Sequence, residues 1–91
     1  MIKSLEITIQ HEDGLHLRPA KLFVEIAQKH VSRISVKNLS KETEAADAKS
    51  SIGLMLAAIQ ANDLIRITAE GEDEALAALR DLIEGNFIQP T

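Results

Sequence analysis

Apolar and polar residues alternate in several stretches of this chain and recur at helical spacing in others. In residues 2–9, Leu5, Ile7 and Ile9 fall on one side and Glu6 and Thr8 on the other, which predicts a half-buried strand. Ile34 and Val36 alternate with Arg33, Ser35 and Lys37 in the same way, and Leu64 to Ala69 puts Ile65, Ile67 and Ala69 on one face. A weaker third strand or sheet edge is read over Glu42 to Ala46, after a turn at Asn38-Leu39-Ser40-Lys41. Between these segments the period becomes helical. From Leu17 to about Lys29, Ala20, Phe23, Val24 and Ala27 share a stripe that Leu22 and Ile26 widen, while Lys21, Glu25 and Gln28 face solvent. Asp47-Ala48-Lys49-Ser50-Ser51 offers capping residues ahead of Ile52, Leu54, Met55, Leu56 and Ile59, a helix that Gly53 keeps short. A last helix opens near Gly71-Glu72-Asp73, with Asp73 as its cap, Ala75, Leu76, Leu79, Leu82 and Ile83 as its stripe, and Gly85 as its stop.

The predicted order is β-α-β-β-α-β-α. Alternating strands bury one sheet face and wet the other, which favours antiparallel pairing. All three helices must then cover the same face. The expected fold is α+β: an open-faced β-sandwich, with a four-stranded antiparallel sheet and three helices on one face.

Composition narrows the function. The 91 residues hold one domain, expected over 1–88, with 89–91 as a tail. With only Phe23 and Phe87 as aromatics, the core must be aliphatic, and with no cysteine there is neither a disulfide framework nor a thiolate metal site. Ten Lys and Arg against fourteen Asp and Glu give a formal charge of −4. That balance, without an aromatic-basic stacking surface, argues against nucleic acid as a partner, so any cationic patch must be local. No apolar run reaches the roughly 18–20 residues of a membrane span, so no membrane insertion is expected. Met1 to Glu6 lacks a signal-peptide run, and Glu6 and Glu12 argue against a transit peptide, so a cytoplasmic location is expected.

One stretch carries chemistry. Gly14-Leu15-His16-Leu17-Arg18-Pro19-Ala20 joins the first strand to the first helix. Gly14 loosens the turn, and Pro19 sits where a first helical turn tolerates a missing N–H. His16 and Arg18 are thereby held at a helix mouth, where free backbone N–H groups and the macrodipole favour an anion. A bland reading makes His16 a polar turn residue. The sharper one makes it a phosphoryl acceptor, because a neutral imidazole nitrogen can attack phosphorus while Arg18 and the helix amides neutralise the transferring group. His11 and His30 have no metal-ligand spacing with His16, so no metal or cofactor is expected. Glu12-Asp13 and Glu72-Asp73 read as solvated charges. The run Leu54-Met55-Leu56 cannot all be buried on a short helix, which predicts a small exposed apolar patch of the kind that serves partners.

The motif at residues 14–20 resembles the active-site signature of the HPr family, the histidine-containing phosphocarriers of the bacterial phosphotransferase system. Lys49-Ser50-Ser51-Ile52-Gly53-Leu54-Met55 resembles the family's regulatory-serine segment, and Ala69-Glu70-Gly71-Glu72-Asp73-Glu74 its approach to the last helix. The resemblance implies the fold read above. It also implies that His16 accepts phosphate on Nδ1 from phosphorylated enzyme I and passes it to a IIA domain, with no turnover chemistry of its own. Arg18 would be the phosphate-side cation, and the Leu17 and Arg18 backbone amides would be donors. The regulatory serine falls on Ser50, implying a kinase as a further partner, and Ile52, Leu54 and Met55 would lie in the docking patch. Two departures stand out: the stretch around Asn38 to Ala46 is a few residues longer than in common sugar-pathway members, and Ser51 replaces an apolar residue. A helix cap alone would also explain Ser50. The segment from Glu74 to Phe87 also resembles the nitrogen-pathway branch, so both branches stay open. The rival from another class is a regulatory module in which His16 only helps to bind an anionic ligand.

Overall fold

The computed structural model describes residues 2–12, 14–15, 17–71 and 73–87, with Leu17 and Asp73 described by their backbone alone. The chain runs β1 (Ile2–Thr8), α1 (Leu17–Gln28), β2 (Ile34–Asn38), β3 (Ala46–Asp47), α2 (Ser51–Leu56), β4 (Leu64–Glu70) and α3 (Asp73–Glu84). The four strands form one sheet in the order β1-β4-β2-β3, and every pairing is antiparallel.

Register explains the two faces. Leu5 lies opposite Ile67 and Ile67 opposite Val36, while Lys3, Ala69 and Ile34 form the next row. Ile34, Val36, Ile65, Ile67 and Ala69 are buried under the helices, in one cluster with Ala20, Phe23 and Ala27 of α1 and Ala75, Leu79 and Ile83 of α3. Phe23 is fully buried; burying a side chain of that kind is worth about 1.5–3 kcal/mol. The other sheet face is polar. Arg66 Nη2 donates to Glu6 Oε2 at 2.8 Å, and the Ser4 and Thr68 hydroxyls share a 3.2 Å hydrogen bond. These pairs lie in solvent and mainly keep that face wet.

The open-faced antiparallel sandwich therefore stands as read, with corrections at four ends. The third strand is later and shorter than Glu42 to Ala46, because Glu42 takes a left-handed φ of 54° and the chain is still turning there. Asn38 belongs to β2 and is fully buried, whereas it was expected in a turn. Ile59 lies beyond α2, since Ala58 at φ 51° ends the helix; it still reaches the core from the following loop. Asp73 begins α3 itself and takes the first helical position in place of the cap.

At the other end of α3, directly after Gly85, Asn86 (φ 57°) and Phe87 (φ 62°) are both left-handed. The Asn86 N–H donates to Ile83 O and the Phe87 N–H to Leu82 O, both at 2.9 Å, which is the paired closure of a Schellman turn. That closure turns Phe87 inward to full burial in the core. The expected boundary between 88 and 89, and the tail beyond it, lie outside the described residues. Among the described residues no helix is long and apolar enough to cross a membrane.

Candidate functional site

The mouth of α1 is shaped by two loops lying back to back. The Ile9 N–H donates to Asp63 O at 2.9 Å, the Asn62 N–H to Ile9 O at 2.7 Å, and the Leu15 N–H to Ile59 O at 2.9 Å. Gly14 sits between them at φ 67°. A Cβ there would lie 2.4 Å from Ile59 O and 2.6 Å from Gln60 Cα, so only glycine fits both the backbone angle and the space. Leu15 and Pro19 are buried, anchoring the loop and the first turn of α1 from below. The His11 ring stands edge-on to Phe87, 5.8 Å between centroids and 81° between planes, and is packed against it.

His16, the residue expected to carry the chemistry, lies outside the described residues. Its neighbours are placed. Helix α1 begins at Leu17, so the Leu17 and Arg18 N–H groups belong to the first turn, where α-helical geometry provides no intrahelical acceptor. Pro19 follows as the third helical residue and has no N–H to satisfy. Arg18 is exposed on the same turn.

Helix α2 stands beside this mouth. Ser50 is its N-cap, with extended backbone and a side-chain oxygen that accepts from the Gly53 N–H at 3.1 Å. Lys49 ties the preceding turn to the end of α1 by donating from Nζ to His30 O at 2.6 Å. Ile52 and Leu56 are 73 % and 78 % exposed and Met55 45 %, while Leu54 is completely buried. The expected apolar patch thus exists, formed by Ile52, Met55 and Leu56. Leu54 is separated from it because a six-residue helix points that position at the sheet. A groove of about 540 Å³ lined by Ala20, Lys21, Ser51, Ile52, Met55 and Leu56 joins the patch to the first turns of α1.

Sequence reasoning missed what lies beneath. Asn38 Nδ2 donates to Asp63 Oδ2 (3.0 Å) and to Ala57 O (3.1 Å), and the Lys41 N–H returns to Asn38 Oδ1 at 3.3 Å. Asp63 Oδ2 also accepts from Lys41 Nζ and from the Gln60 N–H at 2.9 Å. Burial of Asp63 (side chain 13 % exposed) pushes its carboxyl up. Hydrogen bonds from Lys41, Gln60 N–H and Asn38, with the charge of Lys41, more than offset that and hold it below its ordinary value of 3.8. No local signal in the sequence marks Asn38 as the partner of Asp63.

Fold and site define a small open-faced sandwich whose signature loop opens its first helix beside an exposed apolar patch. The family described as the PTS HPr component phosphorylation site matches residues 3–85. The phosphocarrier protein HPr of Xylella fastidiosa is 34 % identical over 88 residues, covering 94 % of this chain and 96 % of its own length. The crystal structure of HPr-C-His from Thermoanaerobacter tengcongensis superposes with a TM-score of 0.87 at 40 % identity, covering 98 % of this chain and 99 % of that one. The multiphosphoryl transfer protein of Haemophilus influenzae is 38 % identical over 66 residues, 72 % of this chain but only 13 % of that protein. The chain belongs to the HPr family of the phosphotransferase system.

Proposed function

We propose that this protein is a phosphocarrier that takes a phosphoryl group onto His16 from phosphorylated enzyme I and gives it to a IIA domain. The observation that carries the reading is the juxtaposition at the mouth of α1. The signature loop, the first-turn amides of Leu17 and Arg18 and the exposed Arg18 lie beside the Ile52–Met55–Leu56 patch. The Nδ1 lone pair of a neutral His16 forms the N–P bond as the donor's bond to phosphorus breaks, and its other nitrogen keeps the proton. The first-turn amides and Arg18 neutralise the equatorial oxygens, and no acid–base group is required for the exchange. The apolar patch, rimmed by Lys21, holds the partner close enough for transfer. The protein is a substrate of both partners rather than an enzyme, and it works in the cytoplasm.

Ser50 fits both a cap and a regulatory site. Its oxygen holds the Gly53 N–H, and a phosphate there would place about −1.5 to −2 charges beside the patch, disfavouring an acidic partner.

Intact mass after incubation with phosphoenolpyruvate and enzyme I tests the reading. One acid-labile phosphate that His16→Ala prevents is expected, and uptake by the alanine variant would end the proposal. Uptake from the sugar-pathway enzyme I or from its nitrogen-pathway counterpart assigns the branch. Uptake from neither would favour the anion-binding module.

A further inference from the structure

The peptide unit between Ile59 and Gln60 is hydrogen-bonded on both sides. Its carbonyl oxygen accepts from the Leu15 N–H at 2.9 Å, and its N–H donates to Asp63 Oδ2, also at 2.9 Å. A single planar group therefore connects the Asp63 carboxylate to the residue that immediately precedes position 16. Gly14 lets the loop approach this peptide closely, since a Cβ at that position would lie 2.4 Å from Ile59 O and 2.6 Å from Gln60 Cα. The ionised Asp63 acceptor strengthens the bond from the Gln60 N–H, and a chain of bonds through a peptide is mutually polarising, so the bond from the Leu15 N–H to Ile59 O is strengthened as well.

We propose that Asp63 is a positioning residue for the phosphoacceptor loop. Its carboxylate, clamped by Lys41 and Asn38, orients the 59–60 peptide and through it the backbone of Leu15 that leads into α1. The inference rests on the phosphocarrier reading of His16. Asn38 is fully buried and divides its amide between Asp63 and Ala57, so it fixes the carboxylate from the sheet side. Lys41, from the β2–β3 connection, donates to the same carboxylate oxygen and with its charge helps to hold the carboxyl below its ordinary value. All three donors converge on one oxygen. A neutral amide of the same size would be a weaker acceptor for them.

Asp63→Asn is the variant to make, with Ile67→Val as a core control that destabilises the protein away from the loop. The Leu15 amide in Asp63→Asn should exchange with deuterium about tenfold faster relative to the central amides of β4, a local opening. Its phosphoryl uptake at saturating phospho-enzyme I should fall about tenfold with the half-saturating concentration unchanged, because an oriented group is lost and the docking patch is untouched. Ile67→Val should change neither ratio. Equal effects in both variants, or an Asp63→Asn protein with a lower melting temperature but wild-type Leu15 exchange or wild-type saturating rate, would overturn the proposal. Failure of the wild-type protein to take phosphate would instead strike the phosphocarrier reading, and the Leu15 exchange ratio would still decide whether Asp63 holds the loop.

Discussion

At position 14 the largest substituent the fold accepts is a hydrogen atom. Gly14 and Gly71 both have positive φ, 67° and 98°, but an added Cβ would collide with backbone at position 14 and meet nothing within 4 Å at position 71. Alanine at either site carries the left-handed penalty of about 1–2 kcal/mol. Only Gly14→Ala must also push the 9–15 loop off the 59–60 peptide. Urea unfolding of the two variants should show the larger loss for Gly14→Ala, and only that variant should also take up phosphate more slowly than wild type. Similar behaviour of the two would mean that the close approach yields without consequence. At this scale the sequence was partly legible. Gly14 announced a turn beside the proposed phosphoacceptor through its spacing, but the reason for glycine lies in backbone nearly fifty positions later. Asn38 was illegible for the same cause: a polar residue at a strand end reads as a turn until its buried partner, Asp63, is brought to it.

Among the elements, α2 is the most dependent on its ends. Six residues are far too few for an isolated helix to persist, so its form rests on the Ser50 cap, on buried Leu54 and on the closing turn at Ala57 and Ala58. Ser50→Ala should lower stability by about 1 kcal/mol through the lost Gly53 hydrogen bond. Gly53→Ala should raise it by up to about 1 kcal/mol, since the new methyl would meet Ser50 and Asp47 at ordinary contact distances, 3.4 Å and beyond. Ala58→Gly should also stabilise, by about 1 kcal/mol, by relieving a left-handed alanine. Urea midpoints of the three variants check the signs; a neutral Ala58→Gly would show that the closing turn is unstrained. The start of α2 could be read from Ser50, whose chemistry is local. Its end could not, because no glycine or proline marks it and an alanine adopts the left-handed angle under tertiary pressure. The end of α3 was legible, since the helix stops at Glu84 just before Gly85, although the left-handed angles fall on Asn86 and Phe87.

For the molecule as a whole, the strand and helix periods agreed with one another and with antiparallel pairing, and the architecture followed from that consistency. The site is harder to read because it has two parts that the fold separates by task. The loop and first turn of α1 carry the proposed chemistry and rest on a floor of residues from β2, the β2–β3 connection and the segment before β4. The patch of Ile52, Met55 and Leu56 lies on the outer side of α2, across a groove from Ala20 and Lys21. Ile52 is 73 % exposed, so Ile52→Asp should leave stability within about 0.5 kcal/mol of wild type. Placing a carboxylate on an apolar docking surface should nevertheless raise the half-saturating concentration of phospho-enzyme I by about tenfold or more, with the saturating rate held. Asp63→Asn is expected to do the reverse, lowering the saturating rate and leaving half-saturation alone. Rate measurements over a range of phospho-enzyme I concentrations separate the two. If Ile52→Asp lowered the saturating rate without changing half-saturation, the patch would be acting on the reacting geometry, and the division of labour between α2 and the mouth of α1 would be lost.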